Sequence, residues 1–394
     1  MNTEGQQPAA PEPFPPALLA QPVGERQAYF EQRCLIAHPR LTETVEATIQ
    51  AVCPADDGAR RRPGTMVLVI GPSRVGKTTF IRLLEARLAV QATAQMRADP
   101  AFIPFASILA TGPASGRFEW ADYYRAILRA LQDPFVDGNL ARLRTRDLHD
   151  AMTTALRERG PRAVIVDEAQ HLAKAANGRR LQDHLDHLKH VENATGVSHV
   201  LVGTYEMRPF RTVNAQLAGR GVDVHFPRYD ATREEDARVF RSVVWALQRQ
   251  LPVAQEPPLL EQWEFLYARS IGCIGLLKLH LSRALHLALA EQAQTVTPAH
   301  LRRAALAATR VELALHTALE SEAEFVETPG GDERLLTALG LRGRTAAALS
   351  APPARQTIPP PRPGRRGTRA PRRDPVGQEE RPAAVPIAGE QAAG

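Results

Sequence analysis

The sequence predicts an α/β fold: a parallel sheet with helices on both faces, followed by a smaller all-helical domain. Three observations predict it. Short apolar runs at 66–70, 102–109, 163–167, 199–203 and 222–226 alternate with helix-like stretches, the pattern of βαβ units. After Asp230 the strands cease, and residues 231–250, 258–270, 275–293 and 298–317 all read as helical. Between the first strand and the helix behind it stands a glycine-bounded turn, Gly71-Pro72-Ser73-Arg74-Val75-Gly76-Lys77-Thr78-Thr79.

That turn has the spacing G-x-x-x-x-G-K-T, the P-loop or Walker A motif, in the strand–turn–helix context the motif requires. Gly71 and Gly76 let the backbone curl, so that successive N–H groups point inward at phosphates. The following helix, with Phe80, Ile81, Leu83, Leu84 and Leu88 as its apolar positions, turns its positive end toward the same anion. Lys77 would reach the β- and γ-phosphates, and the Thr78 hydroxyl would ligate Mg²⁺. The chain has four lysines against 45 arginines, so a lysine at this position is not background composition. ATP with Mg²⁺ is the expected ligand.

A second motif completes the chemistry. The run Ala163-Val164-Ile165-Val166 delivers Asp167-Glu168 at the end of a buried strand, the Walker B arrangement. Asp167 would hold the magnesium shell. Glu168 would act as general base on the water that attacks the γ-phosphate.

At 394 residues the chain can hold two domains with a sizeable core. No run approaches 18 apolar residues, and the proline-rich start lacks a basic n-region with an apolar centre, so neither a membrane span nor a secretory signal is expected. Cys34, Cys53 and Cys273 are scattered with no CxxC spacing, which suits a reducing cytoplasm and argues against zinc. His184, His187 and His190 fan round a helix, two of them close enough to share a metal. Leu181, Leu185, Leu188 and Val191 make the core face of that helix, and the histidines fit its polar side.

The expected layout is a disordered proline-rich leader (1–25), a helical segment with its connector (26–64), the α/β core (65–230), the helical lid (231–317), a helical extension (318–350) and a disordered tail (351–394). In the lid, Thr297-Pro298 reads as an N-cap with proline at the first helical position. The net charge of +6 lies mostly in the tail, where Arg362 to Arg373 contains six arginines and no acid. Such a segment cannot bury enough apolar surface to fold alone. It is a basic arm for nucleic acid or an acidic partner, or a solvated arginine-rich tail.

Together these segments resemble an AAA+ ATPase, and within that class the chain is similar to the TniB/TnsC-like transposition ATPases. The resemblance runs over about 30–310. It is carried by Ile36-Ala37-His38-Pro39-Arg40, the P-loop, Val166-Asp167-Glu168-Ala169-Gln170-His171-Leu172 and Leu201-Val202-Gly203-Thr204. Further pieces are Gln216-Leu217-Ala218-Gly219-Arg220, Phe226-Pro227-Arg228-Tyr229 and Ser270-Ile271-Gly272-Cys273-Ile274-Gly275-Leu276-Leu277-Lys278. The resemblance implies that Thr204 is sensor 1, holding the attacking water, although a strand-end turn residue is the plain reading. It implies that Arg220 is the arginine finger that reaches a neighbouring subunit's nucleotide. Gly221 follows it where the family has phenylalanine, and Arg208, Arg211 and Arg228 are alternatives. Lys278 matches sensor 2, or is an exposed helix residue. Ile36 and Pro39 pack on adenine, or serve only the core.

Thr111 and Arg117 fall in the region that faces DNA in TnsC-like proteins. Nearby Trp120, Tyr123 and Tyr124 fit core or interface packing. The implied function is an ATP-dependent regulator of transposition that assembles as a ring or filament on duplex DNA. It would recruit a DDE-type transposase, work with a target-selector protein, and disassemble on hydrolysis. The alternatives are a helicase-loader-like or secretion-type ATPase with a protein client, or a scaffold that binds ATP and barely hydrolyses it.

Overall fold

A computed structural model of the chain describes residues 13–53, 64–112, 118–133, 143–174, 179–211, 221–325 and 330–341. The chain divides into two units, Met1–Glu327 and Thr328–Gly394.

In the first unit the strands are β1 (Met66–Ile70), β2 (Phe105–Leu109), β3 (Ala163–Asp167), β4 (Ser198–Gly203) and β5 (Gly221–His225). Among the described residues they form one parallel sheet in the order β2-β3-β4-β1-β5. Ile70 pairs with Gly203 on one side and His225 on the other, and Leu109 pairs with Asp167. The C-terminal ends of the strands are therefore level, and the segments after β1, β3, β4 and β5 leave from one edge. Open parallel sheets bind ligands at that edge.

The helices of this unit are α1 (Val23–Ala28), α2 (Pro39–Val52), α3 (Lys77–Gln91), α4 (Thr93–Ala98), α5 (Trp120–Ala130), α6 (Thr145–Arg159), α7 (Gln170–Lys174) and α8 (Arg179–Thr195). After the sheet come α9 (Glu234–Gln250), α10 (Trp263–Ser270), α11 (Ile274–Ala290), α12 (Pro298–Ala304) and α13 (Ala308–Glu322). Strand β1 is buried throughout, as a strand covered on both faces must be. Its Met66, Leu68 and Ile70 pack with α5, α6 and α8, while Val67 and Val69 pack with α2 and α3. The helical domain has its own core, built from α9 to α12, and draws Phe30 and Cys34 into it. The N-terminal segment thus belongs to two cores: Phe30 and Cys34 to the lid, and Leu41 and Val45 of α2 to the sheet.

Several boundaries differ from the expected ones. β2 begins at Phe105, because Pro104 has no N–H for the ladder and pairing starts at Phe105 with Ala163. The helical pattern from Glu25 to Cys53 breaks in two, since Pro39 holds His38 extended and starts α2 afresh. Of the expected leader, residues 1–12 lie outside the described residues; after them the Phe14 N–H donates to Arg249 O at 3.1 Å, and Pro16–Ala20 forms a 3₁₀ turn. The expected helix 298–317 is two helices. Ala305 leaves α12 extended, and α13 then runs on to Glu322. No glycine or proline marks this break. Leu306 packs against the small cluster of Ile271, Cys273 and Val311, and its carbonyl accepts from Arg269 Nη1 at 3.3 Å. Tertiary contacts win over local propensity there. Thr297 does cap α12, with Pro298 at the first position.

In the second unit, Gly331–Ala338 forms a helix on which Leu335 and Leu336 are exposed. The expected tail at 351–394 lies outside the described residues. Among the described residues no single helix is long and apolar enough to cross a membrane.

Candidate functional site

At the C-terminal edge of the sheet the Walker A turn, the end of β3 and the end of β4 wall a cavity of about 970 Å³. Pro72, Ser73, Arg74, Gly76, Lys77, Thr78 and Thr79 line it from the turn and α3. Glu168 and Gln170 line it from beyond β3, Thr204 and Arg208 from beyond β4, and Ile271, Gly275 and Arg310 from the helical domain.

The turn has the shape its glycines allow. Gly71 lies against Phe226, where a Cβ would stand 2.2 Å from the carbonyl oxygen, and Gly76 takes φ +125°. Val75 is buried beneath the loop, against the sheet. Gly76 then leads into α3, so the open N–H groups of a 15-residue helix face the cavity. The Lys77 ammonium is buried and donates to Pro72 O at 2.8 Å and Gly71 O at 3.3 Å. Burial lowers its pKa to about 8, against the opposing pull of Glu168, Cys273 and Asp167. A buried cation hydrogen-bonded, among the described residues, to loop carbonyls beside a helix N-terminus fits a polyphosphate. The Thr78 hydroxyl on the cavity wall and the Asp167 carboxylate supply oxygen donors suited to Mg²⁺.

The Walker B pair is tied to the end of β4. Glu168 sits at φ 53°, an unusual conformation for a residue with a side chain. Its N–H donates to Asp167 Oδ1 at 2.8 Å. Burial pushes the Asp167 carboxyl upward, while that hydrogen bond and Lys77 oppose the push. Gln170 bridges the two strands: its Nε2 donates to Glu168 Oε2, and its Oε1 accepts from the Thr204 N–H at 3.2 Å. Gly203 makes room for this, since a Cβ there would come within 2.5 Å of Gln170 Oε1. The Thr204 hydroxyl donates to Glu206 Oε2 at 3.3 Å.

The helical domain closes on the loop through α11. A Cβ on Gly275 would lie 2.3 Å from Arg74 O, so the helix start rests on the P-loop backbone. Ahead of it, Ile271 takes φ 50°, and Gly272 takes φ +77° with no room for a Cβ beside Tyr229 O. Ile271 O accepts from Arg228 Nη1 at 3.4 Å.

A smaller hollow beside the loop is lined by Leu35, Ile36, His38, Gly76, Thr79 and Lys278, among others. Ile36 is therefore placed where a base could follow the phosphates. Pro39 is not. It is exposed at the first position of α2, where its fixed φ starts the helix, and His38 takes its place in the hollow. Leu41 N–H donates to His38 Nδ1 at 3.3 Å, so the neutral ring carries its proton on Nε2. Burial drives the His38 pKa down to about 4, with Arg40 adding to the effect. Lys278, the sensor 2 candidate, lines the same hollow. Its ammonium donates to Cys34 O at 2.7 Å and Glu31 O at 3.0 Å, pinning the N-terminal segment to the lid.

Of the arginine-finger candidates, Arg228 is an internal brace. It is buried, with Nε 3.2 Å from Glu322 Oε2 and Nη1 donating to Tyr267 Oη at 3.3 Å. It has no free reach to a neighbour. Arg208 pairs with Glu324 at 2.6 Å and Arg211 with Asp223 at 2.8 Å. Arg220 and Arg117 lie outside the described residues. Thr111 is exposed and lines a hollow of about 220 Å³ with Leu109, Tyr123, Arg125 and Arg129, away from the phosphate cavity. His187 accepts or donates at 2.7 Å to the Tyr124 hydroxyl, and His184 packs edge-on against Trp120, inside an aromatic cluster.

Three residues of the site escaped the sequence reading. Gln170 stands two residues after Glu168, close enough to be suspected. His38 lay inside the quoted Ile36–Arg40 segment but carried no assigned role. Arg310 gave no signal, because only the fold of α13 brings it to a cavity more than 230 residues upstream.

Residues 60–210 match the family model described as an AAA domain. Among solved structures, the chain is similar in fold to the Aeropyrum pernix ORC2 protein in its ADPNP-ADP complexes. The two share 16% identity, the match covers 72% of this chain and 71% of that one, and the TM-score is 0.50. Cdc6p from Pyrobaculum aerophilum matches at 14% identity over 71% of this chain and 70% of that one, also with a TM-score of 0.50. No curated protein matches the sequence. The parallel five-stranded sheet, the P-loop and the helical region after it give this chain the AAA+ fold, with the AAA domain model matched over residues 60–210.

Proposed function

We propose that this chain is an ATPase that binds duplex DNA under ATP control and regulates DNA transposition. The observation that carries the ATPase part is the single cavity that joins Lys77 and Thr78 to Glu168, Gln170 and Thr204. In this reading Lys77 leaves the carbonyls of Gly71 and Pro72 for the β- and γ-phosphate oxygens. Thr78 and Asp167 hold Mg²⁺, which screens the phosphate charge. Glu168 takes a proton from water as the new O–P bond forms and the bond to the β-phosphate oxygen breaks. Thr204 and Gln170 fix where that water and Glu168 stand. A finger from a second copy, with Arg220 the first candidate, would complete the site.

The transposition part rests on the ordered segments that resemble TniB/TnsC-like ATPases. Self-association on duplex DNA and recruitment of a DDE-type transposase follow from the same resemblance. DNA contact, with Thr111 and Arg117 as candidates, would go mainly to phosphates, and so would be sequence-independent and strongly salt-dependent. A helicase-loader-like ATPase is an alternative that the same fold accommodates, as the likeness to ORC2 and Cdc6p illustrates. Fold alone does not choose between them.

The test is Glu168→Gln measured beside the unaltered protein, with duplex DNA present and absent. The expected outcome is turnover stimulated by DNA in the unaltered protein and lowered at least a hundredfold in the variant. ATP-dependent DNA binding should persist in the variant, which should fail to let go. A variant that cannot bind DNA with ATP would sink the scheme, and turnover indifferent to DNA would favour a protein client.

A further inference from the structure

Helix α13 walls the phosphate cavity from the outside, and its end grips the segments beyond β4 and β5. Glu322 stands 3.2 Å from Arg228 Nε and accepts from the Tyr205 hydroxyl at 3.5 Å. Arg208 Nη1 donates to Glu324 Oε1 at 2.6 Å. Phe325 stacks on His225 with ring centroids 4.1 Å apart and planes 14° apart. The guanidinium carbon of Arg211 lies 4.0 Å over the Phe325 ring. One short acidic and aromatic segment, Glu322–Phe325, therefore engages Arg208 and Arg211 of the stretch after β4 and Arg228 of the stretch after β5.

The helix that leads into this clasp is weakly held. In α13 only Val311, Ala318 and Ser321 are buried, and Leu313 is 69% exposed. By contrast, eight residues of α11 are buried. Elements with few buried apolar residues open first. The pairing is also graded: Arg228 and Glu322 are shielded, whereas Arg208 and Glu324 are 39% and 52% exposed, where an ion pair holds loosely.

We propose that α13 and its Glu322–Phe325 clasp are an intramolecular cover that keeps the subunit from assembling. The cover takes Arg208, Arg211 and the open wall of the cavity that a second copy of this chain must reach. This rests on the reading that ATP drives self-association. The chemistry is a competition between anions: the Glu324 carboxylate holds in one chain the Arg208 guanidinium that would otherwise meet a triphosphate on the next, while Glu322 anchors the clasp on the internal Arg228. Release of α13 from its few buried anchors exposes both halves of the contact at once.

The experiment compares three forms of the full chain by light scattering against protein concentration, with ATP and without nucleotide. One is unaltered. One carries Glu322→Gln, Glu324→Gln and Phe325→Ala. The last carries His225→Cys and Phe325→Cys joined by a short, reducible thiol crosslinker. The opened variant is expected to assemble with ATP at about tenfold lower concentration than the unaltered chain. The crosslinked form should stay monomeric until reductant is added, which shows that it is folded and competent. If the opened variant keeps a cooperative melting transition yet assembles no more readily than the unaltered chain, the cover is disproved. Assembly of the crosslinked form before reduction would also disprove it. Failure of all three forms to assemble with ATP would overturn the self-association reading, and the cover with it.

Discussion

Lys77 shows how one side chain couples burial to ligand choice. Burial moves its pKa from 10.5 to about 8. Between those values the unfolded chain binds the proton and the folded chain does not, so the cost of burying the charge fades, and stability rises, as pH climbs through this window. Triphosphate binding runs the other way, because it needs the ammonium. Nucleotide affinity is therefore expected to fall about tenfold between pH 7 and pH 9, read by titration with a fluorescent ATP analogue. A flat profile would mean that the phosphates do not rely on Lys77. Gln170 belongs to the same scale. One amide ties Glu168 to the Thr204 backbone, so the base and the end of β4 move together.

At the scale of elements, the lid is coupled to the nucleotide loop by packing rather than by charge. Gly275 lets α11 rest on the Arg74 carbonyl, and Lys278, one turn further along, faces away into the carbonyls of Glu31 and Cys34. Removing those two hydrogen bonds with Lys278→Met should cost about 1 kcal/mol of stability. Turnover at saturating ATP should change less than about threefold, since deleting a group that binds phosphate in the transition state costs far more. Thermal melting and steady-state kinetics on one preparation decide it. A large loss of turnover with unchanged melting would support the sensor 2 role. The legibility of elements follows their local signals. β1 and β3 were readable to the residue because a strand buried on both faces is a continuous apolar run bounded by glycine or acid. The break at Ala305 was not readable, because nothing in the local sequence opposes a helix there and only the packing of Leu306 ends it.

For the whole molecule, the buried clusters that position the site all lie within Met1–Glu327. A chain ending at Glu327 keeps each of those clusters, so it is expected to keep its melting temperature within about 2 °C and to bind nucleotide as before. Loss of cooperative melting in that truncation would show that residues 328–394 contribute to the core. The same truncation removes the arginines of 362–373. If they serve as a basic arm, the slope of DNA affinity against salt should become shallower.

The sequence by itself determined the fold class and the residues of the two Walker motifs, because each rests on short-range spacing: continuous apolar runs, glycines where the backbone must curl, and acids at a strand end. Tertiary structure alone decided what surrounds them. It set Pro39 exposed at the head of α2, turned the Lys278 ammonium onto the carbonyls of Glu31 and Cys34, locked Arg228 inside, and brought His38 to the hollow beside the loop. It also laid α13 with Arg310 across the cavity. Those outcomes depend on pairings between segments up to 247 residues apart, such as Lys278 with Glu31. No local pattern encodes where a long side chain will find its partner once the chain has closed.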